Sequence, residues 1–389
     1  MTTVLAFIII IGVLITIHEF GHFIAARSVG VKVERFSIGV PPRFITITSI
    51  DNGFQINLFF LKNVKGRFQW KPIFSKKIIK PGRIGSNTEY VLALLPLGGY
   101  VKMAGMIDES LDTDIQYKDD EFMSKSLLEK IWILSAGVIM NTLLAFVIFS
   151  TVVYNKGIAE ISSKPIVANL QDGMPAQLSG ILENDQITQI DGVPISTWED
   201  LSSIIKSKPN TEIQLQISRE NQLKNYTVTT LEREIQTKTG LDTIGLIGIA
   251  PEVLYSDVSL FEATSRGFIR TIESFSLIIE SLAMLGSGAA SIKDLGGPIM
   301  IAQLAGQTAE LGIVPFLTFM ALLSVNLALL NILPIPGLDG GHIFIHLIEG
   351  VIRRPLTLKT RVVIQQIGMA LLLMLMVTVI FQDITRLFN

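Results

Sequence analysis

The chain contains no cysteine. That absence excludes a disulfide framework and thiolate metal sites, so any metal must be held by nitrogen and oxygen. Histidine is almost as scarce, with His18 and His22 early in the chain and His342 and His346 late. Charge is thin as well: 17% of the 389 residues are Asp, Glu, Lys or Arg. A net charge of −2 argues against nucleic acid as a partner. Hydrophobic side chains make up 49% of the residues, and the mean hydropathy is +0.50. Such a composition reads as a polytopic α-helical membrane protein with a soluble insert.

Four stretches, roughly 4–26, 131–153, 314–338 and 362–381, are long and apolar enough to cross about 30 Å of hydrocarbon. The first has no basic segment ahead of it and no polar domain after a small-residue cleavage site. It is expected to be a retained span and not a signal peptide. A fifth candidate, 268–285, carries Arg270, Glu273 and Glu280 and reads as amphipathic. Charge bias sets the orientation. Residues 27–83 hold twelve Lys/Arg against two acids, whereas 154–266 hold nine against fifteen. The basic connection "EGVIRRPLTLKTR" follows the third span. The first and third connections are therefore expected inside, with the N-terminus and the second connection outside.

The first connection is rich in β-forming stretches, "ERFSIGV", "FQINLFFL" and "TEYVLALLPLGGYVKM", several of them too apolar for an open aqueous surface. Non-helical backbone at membrane depth is tolerated when it is buried in protein or lines a wet cavity. A small sheet re-entering the bilayer beside the first span is expected. The outer connection alternates strand and helix patterns. Its "PAQLSGILENDQITQIDGVPI" resembles the PDZ domains of membrane-associated proteases, with Ile181 and Asn184 departing from the usual Leu and Gly. The divisions expected are a first transmembrane helix at 1–26, a cytoplasmic re-entrant β region at 27–125 and a second helix at 126–153. After them come an inserted α+β PDZ domain at 160–234, amphipathic helices at 235–312, a third transmembrane helix at 313–346 and a fourth at 362–386.

Seventeen uncharged residues precede His18, Glu19 and His22 in "ITIHEFGHFIAA". An ionisable group inside a span is costly and points to function. Two histidines four apart lie roughly 40° apart around a helix and about 6 Å along it. H-E-x-x-H on a helix is the pattern in which two imidazoles ligate zinc and the Glu is the general base. A catalytic zinc site takes a third protein ligand and leaves the fourth position to water. Among the other spans, only the third ends in candidates, "NILPIPGLDGGHIFIH". Pro334 and Pro336 break the helix there, and freed carbonyls with the Asn331 side chain can hold an extended substrate backbone. Asp339 follows at a depth similar to His22. It is the favoured third ligand, although His342 and His346, also four apart, can hold a metal themselves or replace it.

These motifs resemble the site-2 protease family of intramembrane zinc metalloproteases, over nearly the whole chain. "ERFSIG", "LPLGGYVKM", "LSAGVIMN", a single PDZ-like insert and "GGPIMIAQ" are similar to its bacterial regulator-of-sigma-E-protease branch. The resemblance implies one Zn²⁺ per chain held by His18, His22 and Asp339, with Glu19 the catalytic carboxylate. It implies that Asn331, Pro334 and Pro336 engage an unwound substrate helix. Implied substrates are pre-trimmed single-span membrane proteins, such as anti-sigma factors or remnant signal peptides, in the bacterial inner membrane. The PDZ domain would act outside as a size gate, and peptide termini are candidate ligands of its groove. Two departures stand out: room for one PDZ domain and not two, and Gly137-Val138 where relatives often carry Gly-Pro, a change expected to alter only helix geometry. The competing classes are a catalytically silent PDZ scaffold and a His/Asp membrane transporter. The intact motif argues against the first, and the near absence of ionisable residues in the outer halves of the spans argues against the second.

Overall fold

In a computed structural model, which describes residues 2–64, 67–106, 115–237, 240–289 and 296–387, the first apolar run is helix α1 (Thr2–Ser28). Four strands follow: β1 (Val33–Ile50), β2 (Gly53–Val64), β3 (Arg67–Ile79) and β4 (Glu89–Met103). Their antiparallel sheet has the order β3-β2-β1-β4. Both β1 and β4 bend, so Phe36 lies opposite Tyr90 on one side and Val101 on the other. The last arm of β4 therefore pairs only with the start of β1, and its outer edge is turned to α1. Ala25 and Ala26 of α1 share a buried cluster with Val33, Phe36, Val101 and Met103.

Helix α2 (Leu127–Lys156) leads into a second compact unit, Val153–Leu260. In chain order it contains β5 (Ile158–Ile161), β6 (Val167–Leu170), α3 (Pro175–Leu178), β7 (Gln186–Ile190), β8 (Val193–Pro194) and α4 (Trp198–Lys206). Then come β9 (Glu212–Arg219), β10 (Gln222–Thr229), β11 (Leu231–Thr237), β12 (Gly240–Leu246), β13 (Ile249–Pro251) and β14 (Val253–Ser256). The main sheet has the order β10-β9-β7-β8 and packs Ile187, Ile213, Leu215 and Ile217 against Leu201 and Ile205 of α4. Helix α4 starts with a capping box, Thr197 and Asp200 each bonding the other's backbone N–H. Asn184, at φ 71°, occupies the left-handed region that favours Gly and tolerates Asn. Beside it, buried Asp185 takes a two-pronged bond from Arg219, 2.7 Å to each oxygen. That bonding holds the guanidinium above its ordinary pKa.

This unit corrects two sequence boundaries. Residues 235–256 were expected among amphipathic helices but lie largely in strands, because β13 pairs with β6 and β14 with β5. The inserted unit consequently extends beyond 160–234 on both sides.

The chain continues with α5 (Leu260–Ser287), α6 (Pro298–Glu310), α7 (Ile313–Ile332), α8 (Asp339–Ile352) and α9 (Leu358–Leu387). The expected third helix at 313–346 is thus two helices broken over Leu333–Leu338, since Pro334 and Pro336 cannot donate to a helical ladder. Among the described residues, four helices are long and apolar enough to cross a membrane: α1, α2, α7 and α9. Helix α5, with its charged residues, is not one of them. Ile10 and Leu14 of α1, Phe149 of α2 and Met320 and Val325 of α7 form the buried centre of the bundle. At Gly21 a Cβ would lie 2.3 Å from the Ala136 carbonyl oxygen, so the backbones of α1 and α2 touch there.

Helix α6 has no side-chain cap of its own; a residue from the far end of the chain supplies one. Buried Asp383 of α9 accepts from the backbone N–H groups of Gly297 (3.1 Å), Ile299 (3.0 Å) and Met300 (3.2 Å). A carboxylate there meets both the orphan donors and the positive end of the helix dipole. Asp383→Ala is expected to cost about 2–3 kcal/mol, read as a lower thermal midpoint in detergent. An unchanged midpoint would show that this cap contributes nothing to stability.

Candidate metal centre

Helix α1 presents His18 and His22 on one face, both buried. Their Nε2 atoms lie 3.2 Å apart. The proline-broken loop after α7 turns the chain so that α8 begins with Asp339 at this point. Asp339 Oδ2 lies 3.0 Å from His18 Nε2 and 3.4 Å from His22 Nε2. The three candidate ligand atoms all fall within 4.8 Å of one another, and these residues are the only such group among the described residues.

Helix α2 orients the rings. His22 Nδ1–H donates to the Ile133 carbonyl at 2.8 Å, which leaves the Nε2 lone pair facing Asp339. His18 Nδ1 is 3.3 Å from the Asn141 amide nitrogen, while Asn141 Oδ1 is buried without a partner. Oxygen and nitrogen of an amide are assigned from their bonding. Exchanging them gives His18 Nδ1–H an acceptor and satisfies Oδ1 in one step. Both Nε2 lone pairs then converge on Asp339 Oδ2, itself buried and without a hydrogen bond. Three electron-rich atoms at such distances repel unless a cation lies among them. Space is kept for one by Gly137, where a Cβ would lie 2.5 Å from His18 Cε1 and 2.7 Å from His22 Nε2. Two imidazoles and a carboxylate fit a divalent metal with a coordination position left for water.

Glu19 stands beside the cluster, its Oε2 accepting the Val101 backbone N–H of β4 at 3.0 Å. A cavity of about 320 Å³ opens here, lined by His18, Glu19, His22, Asn331, Asp339 and His342 and by the β4 arm Gly99–Met103. Asn331 reaches the ligands directly, with its amide nitrogen 3.4 Å from His18 Nε2. Pro334 and Pro336 do not line the cavity; Gly337 and Leu338 do. Within the break, the carbonyls of Leu333 and Ile335 accept from Ile335 and Leu338, so part of the freed backbone bonds to itself. His346 lies away from the cluster, bonded to Glu349 at 3.0 Å. Asn141, the Ile133 carbonyl and the Val101 N–H escaped the sequence reading, and Gly137 entered it only as a departure in helix geometry. Asn141 carried a signal, as a polar residue in an uncharged span.

Fold and site together fit a membrane-spanning metallohydrolase, with two candidate ligands and a candidate base on one helix and a further candidate ligand from a distant one. The model of peptidase family M50 matches residues 6–69 and 65–375, and the chain belongs to that family. A protein of Clostridium acetobutylicum is 32% identical over 377 residues, covering 97% of this chain and 96% of its own. The zinc metalloprotease RasP of Oceanobacillus iheyensis is 29% identical over 432 residues, covering both chains in full. "Probable protease eep" of Enterococcus faecalis is 27% identical over 465 residues with the same coverage. Among solved structures, the PDZ domain of an SdrC-like protein from Listeria monocytogenes aligns with 24% of this chain and 90% of its own. That alignment has 19% identity and a TM-score of 0.19.

Proposed function

We propose that the chain is an intramembrane zinc endopeptidase in which His18, His22 and Asp339 hold one Zn²⁺ and Glu19 is the general base. The observation that carries this reading is the meeting of three ligand atoms from α1 and α8 within 4.8 Å. A zinc ion held by His18, His22 and Asp339 would supply Lewis-acid chemistry and lower the pKa of a water to about 7. Glu19, beside the cluster, would take a proton from the water that adds to the scissile carbonyl and return it to the departing amide nitrogen.

The substrate must be unwound first, since a helical peptide bond is shielded by its own turn. The outer edge of β4 offers the means. Gly99, Val101 and Met103 line the cavity, and an extended segment can add there as a further strand. Asn331 then stands where it can donate to a substrate carbonyl, and Pro334 and Pro336 hold open the loop on the opposite wall. The substrates are pre-trimmed single-span membrane proteins, anti-sigma factors and remnant signal peptides among them. The Val153–Leu260 unit, read as a PDZ domain on the extracytoplasmic side, screens the size of their outer parts. Charge bias supports that orientation, with the N-terminus outside and the β region inside, re-entering the inner membrane.

Zinc content tests the ligand set. Purified Asp339→Ala should lose metal, with affinity down at least tenfold, while His342→Ala keeps it. The reverse pattern would transfer the third ligand to His342 and break the proposed site.

A further inference from the structure

A second cavity, of about 340 Å³, is lined by residues outside the candidate metal cluster. Its charged lining is Lys130 of α2, Glu349 of α8, and Arg353, Arg354 and Arg361 from the end of α8 to the start of α9. Four cations face one acid. That acid is fully committed: Glu349 takes Arg361 Nη2 at 2.5 and 2.6 Å, His346 Nδ1 at 3.0 Å and the Leu356 N–H at 2.6 Å. It thus neutralises Arg361, which is itself buried. Lys130, Arg353 and Arg354 have no ion-pair partner among the described residues, and they line the same space.

The level of this cavity in the bilayer follows from the helices that build it. Two spanning helices, α2 and α9, both begin here, at Leu127 and Leu358. The end of α1 is level with them, because Trp132 of α2 donates through Nε1 to Ser28 at 3.1 Å. A half-exposed Trp one turn inside a span marks the headgroup region. Next in the chain to the lining residues Leu127 and Gly350 stand bare aliphatic side chains: Leu128 is 78% exposed and Val351 84%. Unpaired cations in a cavity at headgroup depth, flanked by bare aliphatic side chains, are matched by a molecule with an anionic head and an acyl tail.

We propose that this cavity binds the phosphodiester of an anionic phospholipid, with Lys130, Arg353 and Arg354 facing the phosphate and the acyl chains lying along Leu128 and Val351. Guanidinium groups bond phosphate oxygens in pairs, and basic pockets between spanning helices select anionic headgroups by charge. A free phosphate ion shares the head chemistry but makes no use of the apolar flank.

The test uses the full chain in nanodiscs of phosphatidylcholine with increasing phosphatidylglycerol, reading retained lipid by native mass spectrometry and the thermal midpoint. Phosphatidylglycerol should be retained about 100-fold over phosphatidylcholine and raise the midpoint. Lys130→Gln, Arg353→Gln and Arg354→Gln should each cut the preference about fivefold, leaving Arg361 to hold Glu349. Inorganic phosphate added to pure phosphatidylcholine discs should leave the midpoint where it was. Equal retention of the two lipids by the unmodified chain would overturn the proposal without recourse to any variant. So would an undiminished preference in a variant that combines all three substitutions. A midpoint raised by inorganic phosphate alone would replace the lipid with a soluble anion and overturn it too.

Discussion

Glu19→Gln is expected to keep its zinc in full and to lose cleavage of a membrane substrate by a factor of about 10³, within the range of general-base contributions. The separation of the two effects follows from geometry. The candidate ligand atoms belong to His18, His22 and Asp339, and Glu19 is not among them. Its Oε2 instead accepts the Val101 N–H at 3.0 Å, and a glutamine oxygen can accept the same bond. The substitution preserves shape, strand contact and metal, and removes only the capacity to take a proton. Single-turnover cleavage by purified protein, beside zinc measured on the same sample, distinguishes the outcomes. Cleavage within tenfold of the unmodified enzyme would remove Glu19 as the base. Loss of zinc would instead make it a ligand.

How much of this was legible in the sequence depends on which atoms do the work. Side chains that carry both ligand chemistry and a costly position in lipid announce themselves, as His18, Glu19 and His22 do. Asp339 was reached because a proline-broken span running parallel to the first had to end near it. The orienting contacts were not legible. His22 is fixed by the carbonyl of Ile133, a group every residue possesses, and sequence cannot say which carbonyl an imidazole will meet. Asn141 was visible as a polar residue in an uncharged run, but its partner is 123 positions away. Residues 235–256 were misread for a related reason. Their strands pair with β5 and β6, far back in the chain, and local pattern gives little sign of such pairing. The prolines at 334 and 336 correctly marked a break, yet the apolar run that continues through them to Leu338 hid that two helices result.

Gly137 gives the sharpest test of where the metal sits, because its contribution is an absence. From sequence it was only a departure from Gly-Pro, expected to alter helix geometry. In the fold, the Cβ it lacks would lie 2.6 Å from His18 Nε2 and 2.7 Å from His22 Nε2. Helix α1 has little room to retreat from α2, since β4 packs against it at Gly12, where a Cβ would lie 3.2 Å from the Pro96 carbonyl oxygen. The imidazoles are the softer parts and must turn, which strains the His22 bond to Ile133 and points both lone pairs away from Asp339. Alanine is the better helix former by about 1 kcal/mol, which offsets part of the overpacking cost of about 1–3 kcal/mol. Gly137→Ala is therefore expected to lower the metal-free midpoint only slightly and to weaken zinc by about 100-fold in chelator competition. Gly286→Ala is the matched control: nothing lies within 4 Å of the added methyl, and zinc affinity should not move. Wild-type affinity in Gly137→Ala would mean that the ion does not lie between these rings, whatever the three converging atoms suggest.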